Sequence, residues 1–425
     1  MKKALCVLLA AMMSASLAAC GDKENTGDSG SANSAGKTLR VTWNGDGDNR
    51  DKLLSCLEDY QKETGNTVEF TFVAGNWGEY FTKIQTMIAG GESLDCIFAA
   101  IEGFQMYVDM GLAMPLTDYA EEHKEEVDEL MADVPDGLEN TFYIDGVLYG
   151  FPQAYNTMVT HYNTKEFDAV GLEYPTEGWT TDDLLSMGEK LTRDVDGVKH
   201  YAVYVPTSYF ELESMVRNFG GAFMTEDFTQ ATINSPECVA AFQFYQDLIH
   251  KYGYAPIPEP NQSSTQMLID GTVAMQFAGR WPLFDYKANE FKDVGIQNIP
   301  VATEDVMQFG IDGMFVSAST KQYEEACDLA FWMSKPEYMK DFLTEGSIPT
   351  RLSVAEETVP TLGYPLNAEL FYNRSDTAVP VSSPTSYAEC STIVVDAASQ
   401  IFVEKADVQT VLDDANEKIN QALAG

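Results

Sequence analysis

The chain has 425 residues, of which 66 are acidic and 26 are basic, and its formal net charge is −40. This balance excludes nucleic acid as a partner, because phosphate binding requires clustered lysine and arginine. A chain of this length exceeds one ordinary hydrophobic core, so we expect two lobes.

The first twenty residues have the pattern of an export signal. Two lysines precede a short apolar run, and residues 17–20 (LAAC) resemble the lipobox of bacterial lipoproteins. Cleavage there would remove a signal peptide of residues 1–19 and leave Cys20 first and lipidated; an ordinary signal peptide cut nearby is the alternative. Residues 20–37 would then be the lipidated cysteine and a polar, flexible linker.

Strand and helix patterns alternate from residue 38 to residue 100. Apolar strands are predicted at 39–43, 68–73 and 95–100, and the amphipathic helices between them stop at Gly65 and Gly90. Because such strands are buried on both faces, they predict a parallel sheet in an α/β lobe.

A second set of elements follows Gly150 and predicts a second lobe with its own sheet. Strands are expected at 157–163 and 200–205, with one helix capped by Thr180 or Thr181 and another opening at Ser235. The later elements are a strand at 314–319, a helix at 323–334 and a final helix from about 407 to 423.

Residues 270–282 (DGTVAMQFAGRWP) alternate like a buried strand and then stop at Arg280, Trp281 and Pro282. Proline cannot donate a ladder hydrogen bond, so the strand finishes near Trp281, and strand ends are where open sheets hold ligands. Taken alone, such a tryptophan more often caps a core than contacts a ligand.

Metal and redox chemistry have little support in the sequence. The five cysteines after Cys20 form no CxxC pattern and no cluster with histidine, so we interpret them as small buried hydrophobes. The four histidines lie far apart in the chain, and no cofactor is expected.

Several segments, in their order and spacing, carry a resemblance to a known family. They are TWNGDGDN (42–49), ESLDCIFAAIEGFQMYVDMGLAMPL (92–116), GVLYGFPQAYNTMVTHYN (146–163), DGTVAMQFAGRWP (270–282) and GIDGMFVSASTKQYEEACDLAFWMS (310–334). In these segments the chain resembles the extracellular solute-binding proteins of ABC sugar importers, of the maltose-binding type, and the lipobox places it among their lipoproteins.

The resemblance implies a two-lobed α/β fold of the type II periplasmic-binding-protein kind, with discontinuous lobes that close about a hinge. The N-lobe would comprise residues 38–153 and 309–345, and the C-lobe residues 154–308 and 346–425. The chain would cross between the lobes near 154–159, 309–316 and 346–351.

The resemblance also implies ligand contacts. Trp281 is expected to stack on a sugar ring, and Arg280 either binds ring hydroxyls or pairs with a nearby carboxylate. Asp46, in the W-N-G-D motif, either accepts sugar hydroxyls or caps a helix, and Glu102 occupies a second acidic position of the family.

Further candidate contacts lie at the crossings and at the ends of strands. They are Asn156, Tyr155, Trp77, Tyr209, Asp312 and Arg351. Tyr155 could instead pack in the hinge, and Trp77 and Tyr209 could instead cap helices.

The predicted function is capture of a sugar, a di- or oligosaccharide, and its delivery to the permease subunits of an ABC transporter. The resemblance implies no enzyme activity, and we expect a monomer held by lipid on Cys20 at the extracytoplasmic face of the bacterial membrane. Two alternatives remain open. The same fold could bind a polyamine or another cation, and paired carboxylates such as Asp46 and Glu102 would suit a glycoside-processing enzyme.

Overall fold

The computed structural model describes residues 36–342 and 346–425. The predicted signal peptide, Cys20 and most of the predicted linker lie outside these residues. Within the described ranges, none of the helices has both the length and the apolar character needed to cross a membrane.

Strands and helices alternate along the chain. The strands are β1 (Thr38–Asn44), β2 (Thr67–Val73), β3 (Cys96–Ala100), β4 (Tyr143–Ile144), β5 (Val147–Leu148), β6 (Gly150–Thr157), β7 (Val159–Asn163), β8 (Arg193–Val195), β9 (Val198–Val203), β10 (Val273–Ala278), β11 (Val294–Asn298), β12 (Gln308–Val316), β13 (Ile348–Pro349) and β14 (Val379–Pro380).

The helices up to residue 250 are α1 (Arg50–Cys56), α2 (Glu58–Thr64), α3 (Trp77–Ala89), α4 (Ile101–Asp109), α5 (Thr117–Glu122), α6 (Lys124–Met131), α7 (Asp136–Glu139), α8 (Thr164–Val170), α9 (Thr181–Leu191), α10 (Tyr209–Asn218) and α11 (Pro236–His250). The later helices are α12 (Ser264–Ile269), α13 (Leu283–Ala288), α14 (Tyr323–Trp332), α15 (Pro336–Phe342), α16 (Leu352–Thr358), α17 (Tyr387–Phe402) and α18 (Val408–Ala424). Short 3-10 helices occupy Asn140–Phe142, Val359–Leu362 and Ala368–Phe371.

The larger sheet has the strand order β13-β6-β12-β3-β1-β2, and β14 pairs with β12. Strand β1 runs parallel to both β2 and β3, which confirms the parallel arrangement predicted for the first three strands. Strand β12 is antiparallel to both β3 and β6, so the sheet as a whole is mixed.

The smaller sheet has the order β11-β7-β10-β9-β8 and contains only strands from the middle of the chain. Strand β10 pairs antiparallel with β7 and parallel with β9. Each sheet carries its own helices, and this gives the two-lobed α/β architecture that the sequence predicted.

The chain passes from one sheet to the other where consecutive strands belong to different sheets. Strand β6 ends at Thr157 in the larger sheet, and β7 begins at Val159 in the smaller one. The chain returns between β11 and β12, and β13 then joins the edge of β6. Helix α17 packs against α11 and also against α3. The predicted lobe limits stay a prediction, and residues 343–345 within them lie outside the described residues.

Side-chain caps mark the starts of several helices. Thr180 forms a capping box with Asp183, and Ser235 caps α11 ahead of Pro236, both as predicted. The strand predicted at 157–163 is interrupted at Met158, because the chain changes sheets there.

The strand predicted at 314–319 was misplaced, since β12 covers Gln308–Val316. The first half of β12 contains Gly310, Asp312 and Gly313. These residue types are typical of loops, so the sequence pattern did not indicate a strand there. Of the cysteines, Cys96, Cys238, Cys327 and Cys390 are buried free thiols and Cys56 is half-buried.

Strand β12 is central to the larger sheet, and its register with β6 shifts between Asp312 and Gly313, where Gln153 of β6 is the extra residue. A Cβ atom at Gly313 would lie 2.4 Å from the Phe151 carbonyl oxygen and 2.5 Å from the Phe142 ring. Because a strand carbonyl cannot move aside as a flexible side chain can, this position excludes any side chain.

Gly313→Ala is therefore expected to lower the free energy of unfolding by roughly 1–3 kcal/mol through overpacking. Urea unfolding followed by circular dichroism would measure the change. Gly137→Ala is the matched control, because a Cβ there meets nothing closer than 3.8 Å. Equal unfolding midpoints for the two variants would contradict the packing argument.

Candidate functional site

A single cleft of about 1590 Å³ is lined by residues from both sheets and their helices. The larger sheet contributes the ends of β1 and β3, the start of α3 and the middle of β12. The other wall comes from α10, the turn after β10 and one face of α17. The cleft therefore lies where the sequence analysis expected strand ends to converge.

Trp281 lies half-buried in the cleft wall, directly after β10. Its ring packs over Gly279, where an added Cβ would lie 2.2 Å from a ring carbon, and its centroid is 6.2 Å from that of Phe210. One face of the indole is thus supported by the protein, and the side chain keeps a partly accessible surface toward the cleft.

Trp77 lines the cleft from the larger sheet as the first residue of α3. Its orientation follows from the helix start, because Asn76 and Glu79 form a capping box. The ring packs against Phe81 and Phe98, with centroids 5.7 Å and 5.9 Å away, and remains half-buried. The cleft thus contains a partly exposed tryptophan from each lobe.

Glu102 lies in the first turn of α4, immediately after β3, and only 6% of it is exposed. Its Oε2 atom is buried and has no hydrogen-bond partner. Burial raises the pKa of Glu102 to about 7, since the charged form is poorly solvated there. Glu102 is among the residues that line the cleft, and its Oε2 is an unused hydrogen-bond acceptor.

Asp312 lies beside Glu102, because its backbone pairs with Ala100 at the end of β3. The side chain is half-buried in the cleft floor. Burial, together with the negative charge of Glu102, raises the pKa of Asp312 well above its usual range. The two carboxyls form an acidic pair, and no described lysine or arginine lies within ion-pair distance of either one.

Asn156 lines the cleft at the end of β6, and its Oδ1 accepts a hydrogen bond of 2.7 Å from the Arg280 backbone N–H. The Arg280 side chain is fully buried and donates from Nη1 to the Ser347 carbonyl. Arg280 therefore ties the turn after β10 to the segment before β13 and is not part of the cleft lining.

Tyr209 contributes to the cleft lining but is 98% buried, as the first residue of α10. Its hydroxyl donates to the Ser382 carbonyl at 3.1 Å. The buried carboxylate of Glu213 accepts from the Ser382 backbone N–H at 2.9 Å and from Arg217 at 3.0 Å. This network fixes α10 against the segment that leads into α17.

Besides Arg280, three predicted site residues lie away from the cleft lining. Asp46 is exposed, and its Oδ1 accepts from the Asp48 backbone N–H in its own loop, while the nearby wall is formed by Asn44 and Asn49. Tyr155 is buried on the opposite face of β6 from Asn156, as the two-residue period of a strand requires.

Arg351 is the third of these residues. Its Nε donates to Asp133 Oδ2 at 3.1 Å, at the start of α16. Asp133 also accepts from Ser353, so this ion pair anchors the helix. Asp46 and Glu102, which the glycosidase alternative required as a pair, are not brought together on the cleft wall.

Sequence reasoning missed the lining residues that come from helices distant in the chain. The missed residues include Ser208, Phe210, Phe284, Tyr387, Ser391 and Thr392. Tyr387 and Ser391 are four residues apart on one face of α17, but that spacing alone marks any helix face. Gly78 of α3 lies close against Ala388, which explains how α17 reaches the cleft.

Comparisons with known proteins identify the family that the sequence matches. Residues 56–364 match the family model described as bacterial extracellular solute-binding protein. A maltotriose-binding protein from Pyrococcus abyssi is 22% identical over 282 residues; the alignment covers 64% of this chain, and the chain spans 58% of the length of that relative.

Solved structures agree with the fold over nearly the whole chain. An ABC substrate-binding protein from Listeria monocytogenes, in complex with cycloalternan, has a TM-score of 0.81 and 25% identity and covers 92% of this chain and 99% of its own. A protein from Mycobacterium tuberculosis in complex with glycerophosphocholine has a TM-score of 0.76 and 17% identity, over 91% and 98% of the two chains. The chain belongs to the family of bacterial extracellular solute-binding proteins.

Proposed function

We propose that this chain captures a neutral di- or oligosaccharide in the interlobe cleft and delivers it to an ABC permease, anchored outside the membrane by lipid on Cys20. The observation that carries the proposal is the combination of two half-buried tryptophans, Trp281 and Trp77, with the unpartnered carboxylate of Glu102 in one cleft.

Sugars offer two kinds of surface that match these groups. The C–H groups on a sugar ring face pack against an aromatic ring, and ring hydroxyls need hydrogen-bond acceptors and donors. Trp281 and Trp77 supply the aromatic surfaces from opposite walls, and Glu102 and Asp312 supply acceptors at the floor. Asn156 adds an amide whose NH₂ group can donate.

The charge of the floor favours a neutral ligand over an anionic one. Glu102 and Asp312 already repel each other, as the raised pKa of Asp312 reflects. A phosphate or uronate group would place a further negative charge beside carboxyls whose own ionisation burial already disfavours. Lys52 and Lys83 do line the cleft, but they belong to α1 and α3 rather than to the floor.

The size of the cleft supports more than one sugar unit. Its volume of about 1590 Å³ exceeds the roughly 300–1,000 Å³ typical of small-ligand pockets. Contacts from both lobes would favour a closed state through their differential affinity for it. A permease that recognises that state would receive the sugar, and a lipid tether would raise the local concentration of the loaded protein.

A cationic solute such as a polyamine is the second candidate. The same unpaired acids and aromatic rings would suit it, since an amine would neutralise the floor and could lie over a tryptophan. The two candidates differ in one measurable respect: which of them stabilises the fold.

The two candidates can be compared by their effect on the free energy of unfolding. A neutral oligosaccharide held at about a hundred times its dissociation constant should raise the free energy of unfolding by about 2.7 kcal/mol. Thermal melting against maltotriose, other neutral sugars, glucuronic acid, glycerophosphocholine and spermidine would measure the effect. Recovery of the sugar intact supports binding without catalysis. Stabilisation by spermidine alone would contradict the proposed ligand class.

The second prediction concerns Trp281. Trp281→Ala should weaken binding of the stabilising sugar at least about tenfold, or roughly 1.4 kcal/mol, because it removes one of the two partly exposed tryptophan surfaces of the cleft. Isothermal titration calorimetry would give the affinity. Tyr252→Ala is the control, since Tyr252 is an exposed aromatic residue outside the cleft. Equal affinities of the two variants would remove Trp281 from the binding site.

The third prediction uses the raised pKa of Glu102. Because its folded-state pKa of about 7 exceeds the unfolded value near 4.5, the native state binds more protons in that window, and stability falls as the pH rises through it. Glu102→Gln should therefore raise the free energy of unfolding at pH 8, by on the order of 2 kcal/mol, and less at pH 5.

The same variant should lose part of the stabilisation by sugar, since one acceptor oxygen becomes a donor. Asp396→Asn, at an exposed carboxylate on the cleft rim, is the control and should change neither quantity. A Glu102→Gln protein that is no more stable than wild type at pH 8 would contradict the buried, unpaired state of this carboxyl.

A further inference from the structure

A chain of buried polar groups runs beneath the turn that carries Trp281. His161 Nε2 lies 2.7 Å from the Gly279 carbonyl oxygen, and His161 Nδ1 lies 3.2 Å from the Tyr286 hydroxyl. The Gln276 amide donates to that hydroxyl at 3.0 Å. His161, Gln276 and Tyr286 are each at most 1% exposed, and His161 pairs directly with Gln276 across β7 and β10.

The donor and the acceptor of each hydrogen bond among these buried groups can be assigned. The Gly279 carbonyl can only accept, so His161 Nε2 must carry the hydrogen. Nδ1 then has a lone pair, and the Tyr286 hydroxyl donates to it while accepting from Gln276. Burial lowers the pKa of His161 to about 4, which agrees with a neutral ring. One tautomer satisfies all the groups.

The other side of the same turn is fixed as well. The Asn156 side chain accepts from the Arg280 backbone N–H at 2.7 Å. The Trp281 ring lies so close to Gly279 that no Cβ would fit between them. The angle of the indole toward the cleft therefore depends on the orientation of the Gly279 peptide, which His161 holds from below.

We propose that His161 is a positioning residue for Trp281: its Nε2–H holds the Gly279 carbonyl and so sets the angle at which the indole faces the cleft. The consequence for ligand affinity rests on the proposed function, because it requires a ligand that Trp281 contacts. The positioning itself does not, and it can be measured without any ligand.

The ligand-free test uses ¹⁹F NMR of the full-length protein labelled with 5-fluorotryptophan. Trp281→Phe assigns the Trp281 resonance by its loss. His161→Leu, which removes both ring nitrogens, should shift or broaden that resonance and leave the Trp77 resonance unchanged. His161→Gln, which can keep a donor near the same carbonyl, should restore much of the wild-type signal. An unchanged Trp281 resonance in His161→Leu would overturn the proposal.

Tyr286→Phe takes the place of His161→Leu if the latter does not fold. It removes only the hydroxyl that donates to Nδ1 and should move the same resonance. ¹⁵N spectra of the wild-type imidazole should show hydrogen on Nε2. A hydrogen on Nδ1 would contradict the assigned chain and overturn the proposal.

The ligand arm is a double-mutant cycle with the sugar that stabilises the protein. His161→Leu should weaken binding by about tenfold in the wild-type background and have almost no effect in the Trp281→Ala background. Equal losses in both backgrounds would mean that His161 acts on the fold in general, which overturns the proposal. If the Trp281 resonance responds as expected and no sugar binds, the proposed function fails and the positioning role stands.

Discussion

The position of strand β12 between β3 and β6 is the constraint on which the cleft depends. Its pairing with β3 places Asp312 opposite Ala100, at the point where the chain turns into α4 and presents Glu102. Its pairing with β6 places Asn156 near the same floor. Gly313 makes this possible, because the strand can pack under Phe142 only where it has no side chain. One strand thereby assembles the acceptors of the site.

The acidic pair at the floor is a feature that folding alone would not favour. A buried carboxyl without a partner costs stability, and replacing it with a neutral group of the same shape would usually stabilise the fold. Glu102 nevertheless lies in the cleft wall with an unpaired oxygen. Buried groups with raised pKa values in a cleft are typical of functional sites. We therefore interpret the two buried carboxyls as part of the proposed ligand site. Their burial costs free energy, and they do not stabilise the core.

The sequence predicted features that depend on local chemistry and missed those that depend on distant contacts. The parallel start of the larger sheet and the caps at Thr180 and Ser235 could be predicted because periodicity and capping are local signals. Trp281 was placed at a cleft by the family resemblance, since the end of its strand alone favoured packing against the core.

Tyr155 and Arg351 show the limits of the same reasoning. Whether Tyr155 faces the cleft depends on the pairing register of β6, and Arg351 pairs with Asp133, which lies 218 positions earlier in the chain. No pattern near either residue carries that information. The face of α17 that lines the cleft could not be predicted for a similar reason, since its packing against α3 brings it there. Residues of this kind become visible when the fold is known.

The two tryptophans are each held by neighbouring protein groups, and this bears on how the cleft could work. Trp77 is oriented by the capping box of α3, and Trp281 by Asn156 together with the chain that ends at His161. Groups fixed in advance lose little conformational entropy when a ligand arrives. In the hinge closure that we propose, the free energy of binding would act mainly on the angle between the lobes, and a ligand that contacts both tryptophans would favour the closed arrangement.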